Sequence, residues 1–141
     1  MVVKAYTVGY GGRKPAEFVA LLQQHGVRTI VDVRLRPDRA SMGSYILARD
    51  PARGIVGLLT SVGIRYASRP ELGNLFLEYD DKLPRYSTLL KLAGSILFDR
   101  ITDLQGPMCL MCAEKRVSEC HRRDIAEYLA QTRGWDFEHI E

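Results

Sequence analysis

The sequence predicts a single three-layer α/β domain over residues 1–141, a mostly parallel sheet with helices on both faces. Three observations point there. Short, β-branched apolar runs alternate with amphipathic helical stretches, the order that builds parallel strands joined by crossover helices. Glycine and proline stand at the joints, where elements start and stop. A chain of 141 residues is also the size of one ordinary domain. Such a domain buries roughly 70% of the surface its unfolded form exposes, enough for helices on two sides of a sheet.

The elements follow in order. Residues 2–9 are apolar and β-branched and run into Gly9-Tyr10-Gly11-Gly12, a strand entering a tight loop. Pro15 suits a first helical turn; Phe18, Leu21, Leu22 and His25 then recur at helical spacing before Gly26 stops the helix. Residues 28–33 read as a short buried strand. Asp50 and Pro51 open a second helix with Ile55, Leu58, Leu59 and Val62 inward and Gly63 as its stop. Residues 64–66 form a brief third strand, and a third helix carries Tyr86, Leu89, Leu90, Ala93 and Leu97. Residues 108–112 are the fourth strand. A fourth helix is expected over about 119–133, with Ile125, Tyr128, Leu129 and Thr132 inward and Gly134 as its stop. Residues 135–140 supply a last strand. Two long irregular stretches, 35–49 and 67–82, are candidates for functional loops.

Composition narrows the class. Apolar residues at 46% and charged residues at 26% are globular values, and no apolar run approaches the ~18 residues of a membrane span. The opening residues lack the charged and apolar regions of a secretion signal, so a cytoplasmic location, no membrane partner and reduced thiols are expected. A net charge of +3 does not by itself name a nucleic-acid binder. Of the 20 basic residues 15 are Arg and 5 Lys, a bias toward the planar fork that suits phosphate and carboxylate.

Ligands of open α/β sheets bind outside the carboxyl ends of the strands, and polar residues collect after each predicted strand. Tyr10, Gly11, Gly12 and Arg13 follow the first; Arg34, Arg36 and Arg39 follow the second, with Asp32 inside it. Ser68, Arg69 and the Leu72-Gly73-Asn74 turn follow the third. Cys112, Glu114, Lys115 and Arg116 follow the fourth, then Cys120, His121 and Arg122 as the next helix opens. So many cations at one edge suit an anion, although pairing with acidic neighbours would account for half of them. The Gly9–Gly12 loop lacks both the Walker and the dinucleotide spacing and reads as a tight turn.

The stretch from Cys109 to Arg122 admits three readings. Zinc is suggested by Cys109-x-x-Cys112 followed by Cys120-His121, but residues three apart on a strand face opposite ways. No metal and no other cofactor is therefore expected, and Cys109 is expected in the core. A reactive thiolate at Cys112 or Cys120, with His121 as base, outlines a rhodanese-like or phosphatase-like enzyme. In the third reading His121 hydrogen-bonds a strand carbonyl and pins the loop.

Taken together, these pieces resemble an uncharacterised bacterial and archaeal family, "domain of unknown function 488", over nearly the whole chain. The residues that carry the resemblance are Thr7-Val8-Gly9-Tyr10, Phe18, Leu22, Val31-Asp32-Val33-Arg34, Pro37 and Arg39. It continues through Gly63-Ile64-Arg65-Tyr66, Leu72-Gly73, Leu110-Met111-Cys112-Ala113-Glu114, Cys120-His121-Arg122 and His139-Ile140. The resemblance implies an α/β fold and a site built from these motifs, with no established reaction.

The expected site is thus a pocket for a phosphate-bearing ligand, either a nucleotide or a nucleic-acid end. Its ligand-binding candidates are Tyr10, Arg34, Arg36, Arg39, Arg116, Cys120 and Arg122; its chemical candidates are Glu114, Cys112 and His121. A cysteine enzyme and a non-catalytic nucleic-acid or protein binding module are the alternatives.

Overall fold

The computed structural model describes residues 3–101 and 104–141. Among them, five strands pair in parallel in the order β3-β2-β4-β1-β5. They are β1 (Lys4–Gly9), β2 (Thr29–Asp32), β3 (Arg65–Ser68), β4 (Met108–Cys112) and β5 (Asp136–Ile140). Helices α1 (Pro15–Gln24), α2 (Gly54–Thr60), α3 (Lys82–Leu97) and α4 (Arg122–Arg133) make the connections. The α/β reading holds, and the sheet is parallel throughout the described residues.

Side-chain alternation divides the core. On β4, Met108, Leu110 and Cys112 face one way with Tyr86 and Leu90 of α3 and Ile125 and Leu129 of α4. Cys109 and Met111 face the other way with Phe18 and Leu22 of α1 and Ile55 and Leu59 of α2. All five β4 residues are buried, as a central strand covered on both sides requires. The chain moves outward from β1 to β2 and β3 under α1 and α2, then returns through β4 to β5 under α3 and α4. Neighbouring β1 and β4 therefore send their carboxyl-terminal loops to opposite faces, which opens a crevice between them.

Several boundaries differ from expectation. The expected start of the first strand at Val2 lies outside the described residues. Asp50 does cap a turn, accepting the Ala52 N–H at 2.9 Å, but α2 begins only at Gly54. A single turn of 3-10 helix, Val117–Glu119, and extended Cys120 precede α4, so that helix opens at Arg122 rather than near Glu119. Thr132 is exposed, not inward; its hydroxyl donates to the Tyr128 carbonyl at 2.7 Å, an alternative to burial that threonine carries with it. Gly134 ends α4 as expected, in the left-handed region at φ 69° that a side chain would disfavour.

Candidate functional site

The carboxyl ends of four strands wall a cleft of about 350 Å³. Tyr10 comes from the end of β1, Arg34 to Ser41 from beyond β2, Asn74 and Leu77 from beyond β3, and Cys112 to Glu114 with His121 from β4 and its loop.

The floor is set by Asp32, the last residue of β2, which is fully buried. Its Oδ1 accepts the Arg34 Nε–H at 2.9 Å and the Arg34 backbone N–H at 3.1 Å. Its Oδ2 accepts Arg34 Nη2 at 2.7 Å and the Tyr66 hydroxyl at 2.5 Å. The pair is bidentate, and the third nitrogen, Nη1, donates to the Tyr10 hydroxyl at 3.3 Å. Burial disfavours the Arg34 charge, but Asp32 outweighs it and holds the guanidinium above its usual pKa. Tyr66 is pushed up as well, first by burial and then by the Asp32 charge. Arg34 is thereby a rigid part of the floor.

A second arginine ties the other wall. Arg122 is completely buried at the start of α4. Its Nε donates to Thr7 Oγ1 at 3.2 Å, its Nη1 to the Glu114 carbonyl at 2.6 Å and Cys112 Sγ at 2.9 Å, and its Nη2 to the Lys115 carbonyl at 3.0 Å. These bonds fold residues 112–115 back over β1. The backbones there are so close that a Cβ on Gly9 or Gly11 would run into the Glu114 or Ala113 carbonyl, which is why glycine stands at both positions. The Tyr10 and Gly11 N–H groups donate to the Cys112 and Ala113 carbonyls at 3.1 and 2.8 Å. That loop therefore has neither donor left for a phosphate. No carboxylate touches the Arg122 guanidinium among the described residues, and burial pulls its pKa down.

The cysteines divide by face. Cys109 lies in the core on the far side of the sheet, its thiol pushed far up by burial. Cys112 and Cys120 meet through their sulfurs as a disulfide pair, which corrects the expectation of three reduced thiols. A Glu114 carboxylate oxygen lies with both sulfurs in a group spanning no more than 4.8 Å. His121 donates Nε2–H to the Val33 carbonyl at 2.8 Å, the strand-carbonyl bond anticipated for it. Burial holds its pKa below the usual value, against the opposing pull of that hydrogen bond. Nδ1 is then an acceptor, 3.7 Å from Cys120 Sγ.

Of the sequence-predicted residues, Tyr10, Arg34, Arg36, Arg39, Cys112, Glu114 and His121 line the one cleft. Arg116, Cys120 and Arg122 do not: Arg116 is exposed on the loop outside, and Cys120 and Arg122 are buried behind the wall. Sequence reading missed Thr7 as a partner of Arg122 and Tyr66 as a partner of Asp32. Asn74, which the sequence places in the turn after the third strand but not among the ligand candidates, is a wall residue, 2% exposed, and its Oδ1 accepts the Phe76 N–H at 2.9 Å. The Asp32–Arg34 pair had a legible sign, since residues two apart on an extended chain share a side.

A family model described as "Domain of unknown function DUF488" matches residues 14–129. The chain belongs to that family. No curated protein and no solved structure matches it. Within the DUF488 match lie Asp32, Arg34, Cys112, Glu114 and Cys120 to Arg122; Tyr10 and Thr7 precede it. Family membership brings no reaction, so function must be argued from the cleft.

Proposed function

We propose that the cleft binds a small organic ligand through a phosphate group. The single observation that carries this reading is the state of two wall arginines whose charge the fold does not consume. Arg39 has no carboxylate within ion-pair distance among the described residues. Among the described residues Arg36 pairs only with Asp38, at 3.2 Å, with both side chains half exposed. An exposed pair of that kind is screened by solvent and yields readily to a doubly charged ligand. The Tyr10 ring, Leu35 and Leu77 give the same cleft an apolar wall, which suits an organic body better than a bare ion.

Two observations weigh against the rival readings. A lone nucleophilic thiolate must face its substrate, yet Cys112 is 1% exposed and its sulfur is engaged by Cys120 and Arg122. A nucleic-acid module needs a contiguous basic face, and here Arg13, Arg34 and Arg122 are all spent inside the fold.

Calorimetric titration with a nucleoside monophosphate tests the proposal. A charge-assisted hydrogen bond contributes about 1.5–3 kcal/mol, so Arg39→Ala is expected to weaken binding roughly tenfold or more. Arg116→Ala, outside the cleft, is expected to leave it unchanged. No binding by the wild-type protein, or equal binding by Arg39→Ala, refutes the reading.

A further inference from the structure

We infer that Cys112, Cys120 and Glu114 form a zinc site in the inner wall of the cleft once a dithiol reductant has exchanged with the Cys112–Cys120 disulfide, the reductant leaving as its own disulfide and the two freed thiols giving up their protons as the metal binds. This goes beyond the phosphate reading and does not depend on it.

Three ligand atoms of suitable chemistry already converge: two sulfurs and a carboxylate oxygen, all within 4.8 Å of one another. Both cysteines are 1% exposed, so their sulfurs share a desolvated spot against which Glu114 leans from the cleft side. Each sulfur accepts an N–H: Cys112 Sγ from Arg122 Nη1 at 2.9 Å, and Cys120 Sγ from the Arg122 backbone at 3.4 Å. Donors aimed at sulfur favour the thiolate, which is the form that binds metal, and such outer hydrogen bonds orient metal ligands.

Charge balance makes the same point. As a disulfide the pair is neutral, and Arg122 is a fully buried cation touched by carbonyls, a hydroxyl and sulfur but by no anion among the described residues. As two thiolates beside the Glu114 carboxylate, the group carries three negative charges against the one positive charge of Arg122. A divalent cation at their centre closes the sum to zero and removes the repulsion among the three ligands. Thiolates with one carboxylate suit zinc better than magnesium or calcium, which prefer oxygen alone. Three protein ligands leave a fourth position, and because Cys112 and Glu114 line the cleft, that position opens onto it. The set differs from the Cys-x-x-Cys spacing of the sequence, since Cys109 belongs to the opposite face of the sheet.

The test begins with full-length protein purified under reductant without chelator, in which zinc is counted by plasma mass spectrometry. Stoichiometric zinc is expected. Cobalt(II) added to the metal-stripped, reduced protein is expected to give thiolate-to-cobalt charge-transfer absorption. Cys112→Ser and Cys120→Ser should each abolish that band, while Cys109→Ser should retain it. Should the serine variants fail to fold, Glu114→Gln decides, because its side chain is partly exposed and the substitution keeps its size. It is expected to keep the wild-type circular dichroism and to bind cobalt about tenfold more weakly, or worse. Reduced wild-type protein with neither zinc nor a cobalt band overturns the inference, as does unchanged cobalt affinity in folded Glu114→Gln.

Discussion

Asp32→Asn removes the charge on which the cleft floor is assembled. In the wild type the carboxylate accepts three hydrogen bonds from Arg34 and one from Tyr66, with Asp32 fully buried and Arg34 8% exposed. The amide puts an N–H where one of these donors points and leaves the guanidinium without its counter-ion. Breaking a buried pair from one side costs about 3–5 kcal/mol, a large share of the roughly 5–15 kcal/mol that holds a domain together. For a chain of this size that corresponds to a melting point lower by about 10–20 °C. Urea denaturation followed by circular dichroism measures the loss, with an unchanged slope as the check that only stability moved. The variant Asp32→Leu, Arg34→Met, Tyr66→Phe removes the charged pair and the Tyr66 hydroxyl together and leaves only the Arg34 backbone N–H of the four donors. It is expected to recover most of the loss, because an apolar replacement of a whole buried pair is often close to neutral. Asp32→Asn within about 1 kcal/mol of wild type, or a triple variant less stable than Asp32→Asn, would refute this account of the floor.

Two further perturbations probe other parts of the structure. Gly9→Ala places a methyl group on the Glu114 carbonyl and must separate β1 from residues 113–115. A loss of about 3 kcal/mol in urea denaturation is expected, and a neutral result would show that the two loops do not pack backbone to backbone. Asp124 is buried with Oδ2 unpartnered, and burial raises its pKa above the unfolded value of about 3.9. In the window between the two values the native state holds the proton more tightly, so wild-type stability falls as pH rises through it. Asp124→Asn is therefore expected to melt above wild type at pH near 7, with the difference closing as the pH is lowered toward 4. A variant less stable at both pH values would contradict the assignment.

How much of this was legible in the sequence depends on the range of each interaction. Helix α1, with Pro15, Phe18 and Leu22, could be read because proline and a helical stripe are local signs. The start of α4 could not, because Val117–Glu119 and extended Cys120 carry helix-compatible residues in a path decided by Arg122. Strand order was equally hidden: β4 inserts between β1 and β2 through pairings about eighty to a hundred residues apart in sequence. The candidate site followed from a general property of parallel sheets, that residues after the strands share one edge, and it brought Tyr10, Arg34, Glu114 and His121 together. What sequence did not reveal was which arginines remain free. Asp32, two residues before Arg34, is a local sign of that pair, but Arg122 looks like Arg39 in the sequence, and only burial beside the Glu114 carbonyl distinguishes them.

The claim that an anion docks beside Arg36 and Arg39 is tested most directly with a heavy phosphate analogue. Crystals of the reduced protein soaked in tungstate, measured by anomalous diffraction, are predicted to show a peak in the cleft within hydrogen-bond reach of both guanidinium groups. Crystals of Arg39→Ala are predicted to lose it. A wild-type cleft with no peak, or a peak that persists unchanged in Arg39→Ala, would contradict the account.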